Sequence, residues 1–172
     1  PLDFIGGNMK QVWYMILRGD YDNWDVPALQ AEYTQYKLDH EIPYDTLLFS
    51  DAKSTLDVLK AEGYKLGLAS STIKIEIIRA MKLTGLLPYF EVVLSGDDFE
   101  ESKPNPEIYQ VAMTRLNVAP EETLVIEDSE KGIAAGVDSG ATVWGIKDNV
   151  FGLNQTRAAK LFDNLTQIVK QL

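Results

Sequence analysis

The stretch Thr123-Leu-Val-Ile-Glu-Asp-Ser-Glu-Lys-Gly-Ile-Ala-Ala-Gly-Val-Asp-Ser-Gly-Ala-Thr-Val-Trp-Gly-Ile146 decides the fold. Its pattern predicts a short apolar strand from Thr123 to Ile126, a helix from Lys131 to Asp138 and a second apolar strand from Ala141 to Ile146. Two such strands joined through one helix make a parallel βαβ unit. The same alternation extends upstream. A helix over Ala52 to Glu62 is stopped by Gly63, and a strand over Tyr64 to Ala69 follows. Ile73 to Leu83 is amphipathic, Phe90 to Leu94 reads as a strand, and Pro106 to Leu116 is a helix with proline in its first turn, where the missing N–H costs nothing. A last helix is expected from about Gln155 to Lys170. Short apolar strands alternating with helices predict an α/β fold, a doubly wound parallel sheet covered on both faces.

The beginning of the chain reads differently. Met9 to Leu17 and Pro27 to Leu38 have helical periodicity, and no strand pattern occurs before residue 64. Trp13, Tyr14, Tyr33 and Tyr36 fall at helical spacing and are expected to pack against one another. A small helical unit over residues 1–42 thus precedes a core over 43–172. Pro43 disfavours helix at Ile42 and marks the boundary.

The chain has 172 residues, 45% hydrophobic and 24% charged, the balance of a globular protein with a real core. Sixteen Lys and Arg stand against 26 Asp and Glu, a net charge of −10. Such a chain makes a poor nucleic-acid binder, because phosphate backbones need clustered cations. There is no cysteine, which agrees with a reducing, cytoplasmic setting. The longest apolar runs, such as Val12 to Leu17, fall short of the roughly 20 residues of a membrane span, and neither a membrane segment nor a secretory leader is expected. The chain opens at Pro1 rather than at a methionine, so a missing beginning is expected.

Ligands of open parallel sheets bind at the carboxyl ends of the strands. Ser70-Ser71-Thr72 follows the first strand, Ser95-Gly-Asp-Asp98 and then Ser102-Lys103-Pro104 follow the second, and Glu127-Asp128-Ser129 follows the third. Each has a plain structural reading: a helix cap, a solvated lysine, an acidic turn. Their joint occurrence at three successive strand ends points to something more. Ser70 and Lys103 suit phosphate oxygens, the one by hydrogen bonding and the other by charge. Glu127 and Asp128 suit Mg²⁺, a hard cation that takes carboxylate oxygen and keeps several waters.

Leu68-Ala-Ser-Ser-Thr72, Ser95-Gly-Asp-Asp98 with Ser102-Lys-Pro-Asn-Pro-Glu107, and Val125-Ile-Glu-Asp-Ser129 with Gly132-Ile-Ala-Ala135 resemble motifs two, three and four of the haloacid dehalogenase-like hydrolases. The likeness is to the capped β-phosphoglucomutase and sugar-phosphatase branch, and it covers essentially the whole chain. It implies that Ser70 and Lys103 bind the transferring phosphoryl group, with Ser71 beside them, and that Glu127 and Asp128 hold Mg²⁺ directly or through water. Residues 1–42 resemble the later part of the helical cap, which makes Gly6, Asn8 and Lys10 candidates for substrate specificity.

The resemblance breaks at one point. The family's nucleophile is the first Asp of an Asp-x-Asp-Gly sequence after an opening strand, and this chain has no such sequence. Asp20-Tyr-Asp22 lies between helical segments, with no strand before it and no Gly after it, and reads as a solvated turn. It fails as a calcium loop too, because Trp24 takes a ligand position. The resemblance therefore implies that the nucleophile strand and the first cap helix lie upstream, that the complete enzyme forms an aspartyl-phosphate, and that this chain alone does not turn over. Loss of that strand is expected to leave its neighbours with unpaired edges.

The function expected is a Mg²⁺-dependent phosphatase acting on a small phosphorylated metabolite, a sugar phosphate first of all, in a monomer or weak homo-oligomer. A phosphomutase of the β-phosphoglucomutase kind is the second reading, and a non-catalytic binding domain lacking the nucleophile is the third. His40, the single histidine, is expected to be structural. The glycosylation patterns Asn154-Gln-Thr156 and Asn164-Leu-Thr166 are expected to be chance. No glycine-rich nucleotide loop is present.

Overall fold

The computed structural model describes residues 9–172. Helix α1 (Met9–Leu17) runs through a short 3₁₀ segment, Arg18–Asn23, towards α2 (Val26–Asp39). Asp25 caps α2 by accepting a hydrogen bond from the Ala28 amide at 3.0 Å, and Pro27 occupies its first turn. The two helices meet where Trp13 Nε1 donates to Gln30 Oε1 at 2.7 Å and the Trp13 and Tyr33 rings pack edge to face at 6.2 Å. The expected aromatic packing is thus only partial: Tyr14 and Tyr36 are exposed. Tyr36 stacks on His40 instead, whose Nδ1 lies 2.9 Å from the Tyr36 carbonyl.

Short α3 (Tyr44–Leu47) and α4 (Ala52–Ala61) lead into the alternating region. There β1 (Gly67–Ser70), α5 (Lys74–Leu83), β2 (Val92–Ser95), α6 (Glu107–Leu116), β3 (Leu124–Glu127), α7 (Glu130–Asp138) and β4 (Thr142–Ile146) follow the sequence reading to within a few residues. The chain ends with β5 (Lys160–Phe162) and α8 (Leu165–Val169). All strand pairs are parallel, as expected.

Two differences from the sequence reading have physical causes. The strands form two sheets, β1-β2 and β3-β4-β5, and no described strand pairs the remaining edge of β1 or of β3. The expected final helix is replaced by β5, a turn and a shorter helix. Sheet pairing overrides local helical preference there: Trp144, Gly145 and Ile146 pair with Lys160, Leu161 and Phe162. Gly145 leaves room for Leu161, and the Trp144 and Phe162 rings lie 5.1 Å apart. Asn164 then starts α8 by accepting from the Gln167 amide at 3.0 Å.

The core joins the two sheets. Leu94 of β2, Ile108, Tyr109 and Met113 of α6, Val125 of β3, Ile133 of α7 and Val143 of β4 form one buried cluster. Each fully buried aliphatic side chain in it, Leu94 and Ile133 foremost, contributes about 1.5–3 kcal/mol. Helix α6 therefore holds the carboxyl ends of β1 and β3 in a fixed relation, and the site lies across those ends.

Candidate active site

A cavity of about 560 Å³ opens at the carboxyl ends of β1 and β3. Ser70, Ser71, Lys103, Glu127, Asp128 and Ser129 line its floor, and Met9, Tyr33 and Lys37 reach it from α1 and α2. The three motif segments read from the sequence are therefore brought together, as are the helical unit and the core.

Each segment is held by its own backbone chemistry. Ser70 Oγ accepts the Thr72 amide at 3.1 Å, which shapes the turn leaving β1. Ser71 lies beside Ser102, whose Oγ donates to Ser71 Oγ at 3.4 Å. A Cβ at Gly96 would crowd the Ser71 backbone at 3.2 Å, so the glycine lets the two loops touch. Beyond β2, Ser95 Oγ donates to the Thr72 carbonyl at 2.7 Å, and the Asp98 carboxylate accepts from the Ser95 amide and from Lys74 Nζ. Burial raises the Asp98 carboxyl, but the Ser95 amide and the Lys74 charge outweigh it and hold it below the usual carboxylate range.

Lys103 is buried, follows β2 by a loop and bridges the sheets. Its Nζ donates to the Ala69 carbonyl at 3.1 Å and to Glu127 Oε1 at 2.5 Å, and lies 5.0 Å from the centre of the Tyr109 ring. The Lys103–Pro104 peptide bond is cis. Glu127 is saturated. Its Oε1 also accepts from Tyr109 Oη at 2.6 Å, while Oε2 accepts from the Asp128 amide and from the amide and hydroxyl of Ser129 at 3.1–3.2 Å. Burial pushes the Glu127 carboxyl up, yet the Lys103 charge and these donors win and hold it below its usual range. Asp128 goes the other way: burial, and then the Glu127 charge, raise it.

Among the described residues no group of three or more His, Cys, Asp or Glu could hold a metal. Mg²⁺ does not require one, since one or two carboxylates with waters and substrate phosphate suffice. The donor set fits on that basis. Glu127 already spends both oxygens on the protein, so Asp128 is the carboxylate with the chemistry of a direct ligand and Glu127 that of an anchor behind it.

Other expectations fare differently. Lys10 is exposed on α1 and does not line the cavity; its neighbour Met9 does, since successive helical residues point about 100° apart. Gly6 and Asn8 lie outside the described residues. Asp20 and Asp22 sit in the 3₁₀ segment, away from the cavity. Four contributors were not singled out. Tyr109 holds Glu127. Gly132 gives it room, for a Cβ there would overlap the Glu127 carboxylate. Gln155 ties the loops together, its Nε2 donating to the Asp128 and Ile146 carbonyls, both at 2.7 Å. Lys37 is the fourth, discussed below. Two of them left a trace, Gln155 inside the Asn154-Gln-Thr156 pattern and Gly132 at the head of the Gly132-Ile-Ala-Ala135 stretch.

Ser70, Lys103 and the Glu127–Asp128 pair thus share one cavity at the ends of parallel strands, the arrangement expected from the sequence motifs. The haloacid dehalogenase-like hydrolase family model matches residues 2–146, and the chain belongs to that family. The pyrophosphatase PpaX of Bacillus pumilus is 37% identical over 108 residues, covering 60% of this chain and 48% of that protein. The crystal structure of a HAD phosphatase from Thermococcus onnurineus matches with TM-score 0.66 at 30% identity, over 76% of this chain and 65% of that one. That of β-phosphoglucomutase from Clostridium difficile matches with TM-score 0.81 over 97% of this chain and 75% of that one, and at 22% identity shows a shared fold. The chain thus spans about half of one relative and two thirds of another. Among the described residues no helix is long and apolar enough to cross a membrane.

Proposed function

We propose that the protein containing this chain is a Mg²⁺-dependent phosphatase that removes phosphate from a small phosphorylated metabolite, a sugar phosphate first of all. The observation that carries the reading is the convergence of Ser70, Lys103 and Asp128 on one cavity from three strand ends. The hydroxyls of Ser70 and Ser71 and the ammonium of Lys103 are suited to hold phosphoryl oxygens and to balance charge that grows on them. Glu127 aims the Lys103 ammonium through its hydrogen bond, which is a positioning role. Mg²⁺ held by Asp128 would supply further positive charge against the phosphoryl oxygens.

The attacking group in this reading is an aspartate that forms an aspartyl-phosphate. No Asp of the described residues other than Asp128 lines the cavity, so the nucleophile is assigned to a segment outside them. A strand pairing with the unfilled edges of β1 and β3 would carry it to the same rim as Lys103, whose bonds to Ala69 and Glu127 span those two strand ends. On this proposal the present chain by itself does not turn over. Residues 1–42 are proposed as part of the cap and 43–172 as the core. The absence of cysteine supports a cytoplasmic setting.

The pyrophosphatase and phosphatase relatives favour water, rather than a second sugar hydroxyl, as the acceptor. The test is phosphate release by the complete protein over a panel of sugar phosphates and other phosphorylated metabolites, with and without Mg²⁺. Release that needs Mg²⁺ and no sugar bisphosphate activator is expected. Turnover that requires such an activator would replace the phosphatase with a mutase.

A further inference from the structure

Lys37 is the one charged residue that α1 and α2 contribute to the cavity lining, facing a floor that already holds Lys103. Its Nζ lies 3.8 Å from Glu76 Oε2, an ion pair longer than a hydrogen bond, and 5.8 Å from the centre of the Tyr33 ring, another lining residue. Glu76 does not depend on it. That carboxylate, 2% exposed on α5, already accepts from Tyr44 Oη at 3.0 Å and from Arg79 Nη1 at 3.2 Å. Arg79 in turn donates to the Ile42 carbonyl and lies 3.5 Å from Glu41. Glu76 thus has its hydrogen bonds and a full neutralising charge from Arg79, with Lys37 as a second, more distant cation. Lys37 is half-buried at the cavity edge, and among the described residues its ammonium has only this loose carboxylate and the Tyr33 ring for company.

From this geometry we propose that Lys37 receives a second anionic group of the substrate, a phosphate or a carboxylate remote from the phosphoryl group held at Ser70 and Lys103. The inference rests on the phosphate-site reading above and narrows it to substrates with two anionic ends. In the absence of substrate, Glu76 and the Tyr33 ring hold the ammonium at the cavity edge; an incoming anion replaces the long Glu76 contact with a direct, charge-assisted hydrogen bond.

Binding by the complete protein with Mg²⁺ tests this, using propylphosphonate, propylene bisphosphonate and phosphonobutyrate as non-hydrolysable probes that share one carbon spacer. At least one of the two doubly anionic probes is expected to bind about tenfold or more tightly than propylphosphonate. Lys37→Met should erase that preference while leaving propylphosphonate affinity within about twofold, and Lys37→Arg should keep it. A gain confined to the bisphosphonate assigns the second group as phosphate, a gain confined to phosphonobutyrate as carboxylate. Equal binding of all three by the wild type, or a preference that survives Lys37→Met, overturns the inference alone. A wild type that binds none of the three overturns the phosphate-site reading and this inference with it.

Discussion

Lys103 and Glu127 form a buried ion pair, Nζ to Oε1 2.5 Å, that ties the loop after β2 to the end of β3. Both side chains are at least nine-tenths buried. Neither charge tolerates loss of the other in that setting, because an unpaired buried charge costs far more than a surface one. The pair thus couples the stability of the core to the one cation that the described residues place on the cavity floor.

Lys103→Met should lower unfolding stability by about 3–5 kcal/mol, the loss typical of breaking a buried pair from one side. Glu127→Gln should cost stability too, since the single amide oxygen can serve the donors of one carboxylate oxygen only and its NH2 then faces those of the other. The acid response of the two separates the causes. The Glu127 carboxyl lies below its unfolded value, so its contribution is present above the usual carboxylate range and is lost as pH falls through it. Denaturant titrations across acid pH should show a shallower loss in Glu127→Gln than in the wild type.

Gly132→Ala introduces a methyl where the Glu127 carboxylate sits. Alanine is the better helix former by about 1 kcal/mol, so α7 itself should gain. Phosphate binding should nonetheless fall by tenfold or more, because Glu127 must move and Lys103 with it. A variant that binds phosphate as well as the wild type would show that Glu127 does not position Lys103.

Asp128 is strained electrostatically in the absence of metal: burial and then Glu127 raise its carboxyl. A raised acid favours folding below its unfolded value and opposes it as pH rises through the folded value. At neutral pH without metal, Asp128→Asn should therefore melt at a higher temperature than the wild type. Mg²⁺ should raise the melting temperature of the wild type and leave that of the variant unchanged. An equal Mg²⁺ shift in both would remove Asp128 from the metal site.

Ser70, Lys103 and Asp128 were legible in the sequence because each follows a strand whose periodicity fixes which end carries the site. Tyr109 and Lys37 were not, and Gly132 was quoted in a motif without its role, because these roles depend on distances between elements: α6 to β3, α2 to α5, and α7 to β3. No spacing along the chain encodes those. The same limit explains β5. Lys160–Phe162 has too few residues to show a period, and its strand character comes from Gly145 and Trp144 on the neighbouring strand.

Tyr44 provides an alkaline test of the junction between the helical unit and the core. Burial, and then its hydrogen bond to Glu76, raise its hydroxyl from 10.0 to about 12. A raised folded value means stability that is complete below the unfolded value and is lost as pH rises towards the folded one. Between pH 10 and 12 the wild type should lose stability more steeply than Tyr44→Phe, as followed by urea titration. Parallel curves would show that the Tyr44–Glu76 bond does not stabilise the fold.

The most direct measurement is calorimetric titration of inorganic phosphate into the complete protein with Mg²⁺, in the wild type, Ser70→Ala and Lys103→Met, with circular dichroism confirming that each is folded. Saturable binding in the wild type, weakened about tenfold in Ser70→Ala and lost in Lys103→Met, is the predicted result. Phosphate bound equally by all three would contradict a phosphoryl site built from the ends of β1, β2 and β3.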